Sequence, residues 1–245
     1  MKLRAGFFDF TGCEGCQLTV LNLEDEFLDL AGLIDVVEFR EVMTGGGGDL
    51  DVAFVEGSIC GPDQEARLKD IRRRSRLLVA LGACADTTGI NILVRLQDPE
   101  VLHGRVYGPG APVRARGHPR AVGDVVPVDA RVPGCPVDGG EFLRVLQALA
   151  VGRTPELPAH PVCVECKLAE LPCVFDEGEM CLGPVVRAGC GARCPEGGDR
   201  CRGCRGLVDN PRSSSYRRVL EEHGLTEDDM LAEFRLFNLD GGGER

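Results

Sequence analysis

Between residues 161 and 206 the chain carries eight cysteines, five of them within the 24 residues CLGPVVRAGCGARCPEGGDRCRGC at 181–204, set among glycine, proline and arginine. A segment so poor in large apolar groups cannot offset its chain entropy by burial. Something other than a hydrophobic core is expected to hold it together. The full chain of 245 residues has 13 cysteines, and its start, MKLRAGFFDFTGCEGC, has neither an apolar stretch with a cleavage site nor a twin-Arg signal. The expectation is a cytoplasmic protein whose thiols stay reduced. An odd total also leaves one cysteine without a mate in any all-disulfide scheme. Reduced thiols at ligand-like spacing point to metal.

Charge narrows the partners. The net charge of -11 argues against nucleic acid, whose recognition rests on clustered Lys and Arg. The basic run RRRSR at 72–76 reads as a solvated helix end, favoured by the helix dipole. No run of 18 apolar residues occurs, so no membrane span is expected. Tryptophan is absent, which leaves a core of Leu, Val, Ile and Ala.

From residue 3 onward, short β-branched runs alternate with amphipathic stretches. Strands are expected at 3–10, 34–40, 51–57, 76–82 and 124–130, and a helix at 17–30 with Leu18, Leu21, Phe27 and Leu28 on its apolar face. Pro62 suits a first helical position and Glu65 stands four before Lys69, which predicts a helix over 62–74; another is expected over 138–150. Strands alternating with helices imply an α/β fold with a doubly wound parallel sheet. The glycine run 45–48 reads as a flexible connection rather than a phosphate loop. A boundary is expected in the proline-rich, aperiodic stretch GRTPELPAHP, dividing the chain into 1–155 and a loop-rich second domain, 156–245. In the tail, Thr226 and Asp229 form a candidate cap ahead of a helix with Met230, Phe234 and Phe237 on one face, packing on the body or on a partner.

Cys13 and Cys16 form a C-x-x-C just after the first strand, Cys84 follows the fourth, and Cys135 follows the fifth. All three places lie on the carboxyl edge of a parallel sheet, where open α/β folds bind ligands. Four thiols from distant sequence can meet there, with adjacent glycines letting the backbone approach closely. Taken alone, a C-x-x-C also suits a redox pair or half a zinc site. For Cys60 the plain reading is a small buried hydrophobe.

The remaining eight, Cys163, Cys166, Cys173, Cys181, Cys190, Cys194, Cys201 and Cys204, make two sets of four. Tetrahedral zinc satisfies that count. Two features favour iron–sulfur: Cys190-x3-Cys194-Pro195 echoes the C-x3-C-P ending of ferredoxins, and the segment has no zinc-ribbon strands. Metal binding and folding of 161–206 are then expected to be one event.

The motifs FTGCEGCQLTVL, VEGSIC, LGACA, PGCPV, CLGPVVRAGC and CRGC, in this order over nearly the whole chain, resemble the small, electron-transferring subunit of nickel-iron hydrogenases. The chain looks most like the cytoplasmic group that includes the sulfhydrogenase δ subunit and the F420-non-reducing hydrogenase small subunit. The resemblance implies a flavodoxin-like first domain holding a cluster proximal to nickel through Cys13, Cys16, Cys84 and Cys135. It further implies a distal cluster on Cys163, Cys166, Cys173 and Cys181, and a medial one on Cys190, Cys194, Cys201 and Cys204. Three 4Fe–4S clusters follow, and His160 is not needed as a ligand. Hydrogen chemistry would lie in a nickel-bearing large subunit, and a further partner would be a flavin, ferredoxin-like or disulfide-reductase-linked subunit. Glu14 and Glu56 face that large subunit or serve as solvated or capping groups.

Two other readings fit parts of the pattern. The small subunit of complex I is a relative in this sense, but that resemblance implies an adjacent Cys-Cys pair where this chain has Cys13-x-x-Cys16. A zinc-binding structural module would use the same cysteines without redox chemistry.

Overall fold

The computed structural model describes residues 2–96, 98–108, 117–211 and 213–237. Five parallel strands form one sheet in the order β2-β1-β3-β4-β5: β1 is Leu3–Asp9, β2 Ile34–Phe39, β3 Leu50–Glu56, β4 Ser75–Leu81 and β5 Ala130–Val132. This is the flavodoxin-like strand order, with its topological switch between β1 and β3.

The period-two alternation of side chains builds a core on each face. Phe7, Phe54 and Val79 face one core, shared with Phe142 and Leu146 of helix α6 (Gly139–Ala150). Their neighbours Phe8, Val55 and Leu78 face the other, closed by Leu68 and Ile71 of α3 (Pro62–Arg74). On the first face Phe7 stacks on Phe39 and Phe54 at centroid distances of 4.5 and 4.9 Å.

Four strands and the helices α3 and α6 lie where the pattern placed them; three expectations change. The expected helix at 17–30 is two, α1 (Gly15–Leu21) and α2 (Phe27–Leu33). Asn22 ends the first by donating its N–H to Leu18, and the weak helix formers Asn22 and Asp25 bound the break. The inward face of α1 is Cys16, Gln17 and Val20, while Leu18 and Leu21 are exposed; the side chains of Phe27 and Leu28 lie outside the described residues.

The fifth strand pairs over 130–132 rather than 124–130, matching Val79, Ala80 and Leu81 of β4 with Ala130, Arg131 and Val132. Pro127 has no N–H for a ladder, Val122–Asp124 forms a 3-10 turn, and Val126 drops into the second core. The run at 72–76 does end α3, and of its three helical arginines Arg73 is well exposed, whereas Arg72 pairs with Asp129 at 2.5 Å and Arg74 with Glu38 at 2.7 Å.

The third change concerns the cysteine-rich segment, which does have a small core. Val162, Phe175, Leu182, Val185 and Val186 pack with Cys181, Cys201 and two residues of α9 (Ser213–Glu222), Tyr216 and Leu220. The apolar groups are too scattered along the chain to show as a pattern, and α9 brings the last of them from outside the segment. Beyond it, Thr226 and Asp229 cap α10 (Glu227–Phe234) as expected, Asp229 N–H donating to Thr226 Oγ1 at 3.2 Å. Phe237 is half-buried, and the side chains of Met230 and Phe234 lie outside the described residues.

Candidate metal centre

The carboxyl ends of β1, β3, β4 and β5 bring the first cysteines together. Cys13 and Cys16 flank the start of α1, where Glu14 takes a left-handed conformation with φ 62. Glu56, at the end of β3 and buried, accepts the N–H groups of Cys16 and Gln17 at 3.1 and 2.9 Å. It therefore caps α1, and burial pushes its carboxyl up. Glu14 stays at the surface, accepting from Arg40 at 3.1 Å. Cys84 opens the short α4 (Ala83–Thr87). Cys135 sits in a turn stitched to it, since Gly82 donates to Val132 at 2.8 Å and Ala83 to Gly134 at 2.7 Å.

The loops leave room for sulfur only because glycine stands beside it. A Cβ on Gly82, whose φ is +83, would collide with the Cys16 sulfur, and one on Gly89 would lie 3.0 Å from that of Cys84. Burial pushes the Cys84 thiol up to about 12, with the charges of Cys135 and Cys13 adding to it. Burial likewise raises Cys16 and Cys135, whose thiols also feel their neighbours in this set.

Cys163, Cys166, Cys173 and Cys181 form the second group. The first two lie on α7 (Val162–Leu168), and Cys173 is exposed before a 3-10 turn at Val174–Glu177. Burial holds Cys163 at about 12 and Cys166 at about 11, and in both the Cys181 thiolate is the leading charge acting in the same sense. A Cβ on Gly183 would stand 3.3 Å from the sulfurs of both Cys163 and Cys181. The buried Cys181 sulfur accepts N–H groups from Gly183 at 3.4 Å and Cys201 at 3.3 Å.

Cys190, Cys194, Cys201 and Cys204 form the third group, Cys194 on the single turn α8 (Arg193–Glu196). Burial raises Cys194 and Cys201 and holds Cys204 at about 12. This group touches both others. The Cys135 N–H faces the Cys204 sulfur, and the Cys201 N–H is the donor to Cys181. The third group thus adjoins both the first and the second.

Cys60 joins none of them. It is buried, with its N–H on Gln64 at 2.6 Å and its sulfur 3.8 Å from Ser58 Oγ, and it lines a surface cavity of about 590 Å³ with Arg95, His118 and Arg120. His160 contributes a carbonyl to Ala188 at 3.0 Å. Among the described residues no three His, Cys, Asp or Glu side chains close round a single metal ion. The fit to a polynuclear group rests on all-thiol donor sets, glycine clearance at the sulfurs, and N–H groups directed at them.

Residues 13–149 match the family described as NADH ubiquinone oxidoreductase, 20 Kd subunit. The chain belongs to this family. Within it, the relatives are hydrogenase subunits, in agreement with the motif resemblance. The chain is 37% identical over 238 residues to the sulfhydrogenase 2 delta chain of Pyrococcus furiosus, covering 96% of this chain and 99% of the relative. It is 31% identical over 244 residues to a subunit of the vhu F420-non-reducing hydrogenase of Methanocaldococcus jannaschii, covering 85% and 83%. Among solved structures, a chain of an NAD+-reducing [NiFe]-hydrogenase in the H2-reduced state superposes with a TM-score of 0.58 at 26% identity, covering 64% of this chain and 96% of that one. The Ni-Fe-Se hydrogenase of Desulfomicrobium baculatum shares the fold, with a TM-score of 0.54 at 19% identity over 88% and 98%. The protein is an oxidoreductase subunit of the nickel-iron hydrogenase small-subunit type.

Capping was one of the readings for Glu56, and the structure shows it; missed in the sequence were the cysteine-to-cysteine N–H contacts and a buried ion pair between Glu141 and Arg205. Each joins residues far apart in the chain, and none has a local signature.

Proposed function

We propose that the chain is the electron relay of a nickel-iron hydrogenase, passing electrons between the nickel-iron site of a large subunit and a further redox partner. The observation that carries this reading is the set of three all-cysteine groups, adjoining through backbone N–H groups that face sulfur. Cys13, Cys16, Cys84 and Cys135 would hold the proximal 4Fe–4S cluster, Cys190, Cys194, Cys201 and Cys204 the medial one, and Cys163, Cys166, Cys173 and Cys181 the distal one. Each cluster, when bound, takes up and releases an electron at a potential set by charge, hydrogen bonds to sulfur and exposure. Around these groups the chain supplies thiolates, directs N–H donors at Cys181 and Cys204, and keeps water from Cys16 and Cys201 by burial.

The large subunit would cover the edge bearing Cys13 and Cys135, both exposed in this chain. Following Cys84 in the chain, the 3-10 segment Gly89–Leu96 and α5 (Pro99–Tyr107) present Ile90, Val101, Val106 and Tyr107 to solvent. Such exposed apolar groups would be covered on association with the large subunit. The further partner would meet the exposed Cys173 side. The chain would act as two domains, 1–155 and 156–245, in the cytoplasm. No described helix is long and apolar enough to cross a membrane.

The test is the metal and sulfide content of the anaerobically purified native complex with its copurifying chains identified. About twelve iron and twelve sulfide per chain, the sum of three cubanes, with nickel in a second subunit, is the expected result. Two or three zinc atoms without sulfide would replace this reading with a structural zinc protein.

A further inference from the structure

The strongest unassigned feature is a charged pair almost closed off from solvent, located where the first and third cysteine groups meet. Arg205 and Glu141 are each 2% exposed. The Arg205 Nη2 donates to both Glu141 carboxylate oxygens at 2.7 and 2.8 Å, Nη1 donates to the Pro133 carbonyl at 2.7 Å, and Nε donates to the carbonyls of Ala188 at 2.9 Å and Arg187 at 3.2 Å. One guanidinium therefore grips α6 and two loops, and its own backbone belongs to a third.

Each of those loops carries a cysteine. Pro133 lies two residues before Cys135, Ala188 two before Cys190, and Arg205 directly follows Cys204. The loop at 188–190 can pass over the pair only because residue 189 is glycine. A Cβ there would clash with the Arg205 Nη2 and lie 2.6 Å from Glu141 Oε1, and the backbone has φ +119. A buried arginine is suited to this task, because its planar fork fixes several acceptors at once while a carboxylate cancels its charge. Buried pairs of this kind are poor sources of net stability compared with apolar packing. The geometry asks for a different reason to have one here.

We propose that Arg205, neutralised by Glu141, is a positioning residue that fixes the contact between the first and third cysteine groups by tying together the loops of Cys135, Cys190 and Cys204. This inference rests on the relay reading above. The pair touches no described sulfur through a hydrogen bond, so it acts through the loops it holds. Arg205→Lys keeps the charge and loses the fork. Glu141→Gln keeps the size and leaves the guanidinium uncompensated.

The experiment uses the native complex with each variant. Iron and sulfide content are measured first, then the midpoint potentials and the reduced-state EPR of the clusters. In Arg205→Lys we expect parental iron content with a weakened magnetic interaction between the two clusters nearest Cys135 and Cys204. In Glu141→Gln we expect the cluster next to Cys204 to shift to a higher potential, because a nearby uncompensated positive charge favours the more negative, reduced form. Amide exchange at Cys135 should quicken in both. Parental interaction, potentials and exchange in both variants would overturn the positioning role, as would loss of all clusters from both, which would make the pair a general folding element. A parent complex without iron and sulfide would instead bring down the relay reading itself.

Discussion

The sheet and the cysteine-rich segment are held together in different ways. Around the sheet, two cores of Phe, Leu, Ile and Val close on both faces, and of the cysteines only Cys16 belongs to either. In the segment the single core is small and counts Cys181 and Cys201 among its own buried members. The sheet can therefore keep its packing when its thiols are empty, whereas in the segment ligand and core side chain are one and the same. Built this way, the subunit would have a sheet that stands on its own packing and a second part whose order depends on the proposed clusters.

The comparison breaks most sharply on removal of the proposed clusters. Metal-coupled folding free energies in small cysteine sites are on the order of 10 kcal/mol, a large share of what orders a loop-rich segment whose nine buried side chains, with Tyr216 and Leu220 of α9, must also offset its chain entropy. Cys181→Ser in the full chain is expected to strip hydrogen-exchange protection from 161–206 while the amides of β1, β3 and β4 keep theirs. Equal protection across both regions in the variant would mean that the third core stands alone.

Phe142→Ala addresses the other side. Phe142 is fully buried, 5.2 Å from the Phe54 ring centroid and 6.3 Å from that of Phe7. Truncation should cost about 3–5 kcal/mol of sheet stability, read as a lower denaturation midpoint, with iron bound at Cys163–Cys181 unchanged. A parallel loss of that iron would show that the two regions share one cooperative unit.

What the sequence disclosed divides along the same line. Phe7 and Phe8, or Phe54 and Val55, announce opposite faces of a parallel sheet by simple alternation, and Pro62 with the Glu65–Lys69 spacing announces α3. Cysteine spacing and motif order named the three groups. Hidden were features that depend on distant pairings: β5 is only three residues long and is defined by β4, and α1, capped by Glu56 from β3, buries Cys16, Gln17 and Val20 and leaves Leu18 exposed. The third core pools side chains from Val162 to Leu220, and Arg205 meets Glu141 across 64 positions. No periodicity records a contact of that kind.

Tyr216→Phe tests how firmly α9 belongs to the segment. The Tyr216 hydroxyl donates to the Cys181 carbonyl at 2.7 Å, and burial pushes the phenol well above its ordinary range, so it stays a neutral donor. Losing this bond should cost about 1 kcal/mol and quicken exchange in α9 and around Cys181, leaving the sheet untouched. A variant with parental exchange in α9 would make Leu220 and its apolar neighbours the real attachment.

The smallest effect belongs to the surface of α3. Lys69 and Arg120 hold the Glu65 carboxyl down at about 2, through contacts of 2.5 and 2.6 Å. A depressed carboxylate contributes stability that is present above its ordinary value of 4.5 and is lost as the pH falls from there towards 2. Because the group is open to solvent, screening keeps the contribution slight. Glu65→Gln should therefore leave the denaturation midpoint at pH 7 almost unchanged and flatten its decline only between pH 4.5 and 2. The flattening should appear in the transition of the sheet and not in that of the cysteine-rich segment, since Glu65, Lys69 and Arg120 all lie on the sheet side. A change of equal size in both transitions would show that acid unfolds the two regions together, and the contrast between them would then hold only at neutral pH.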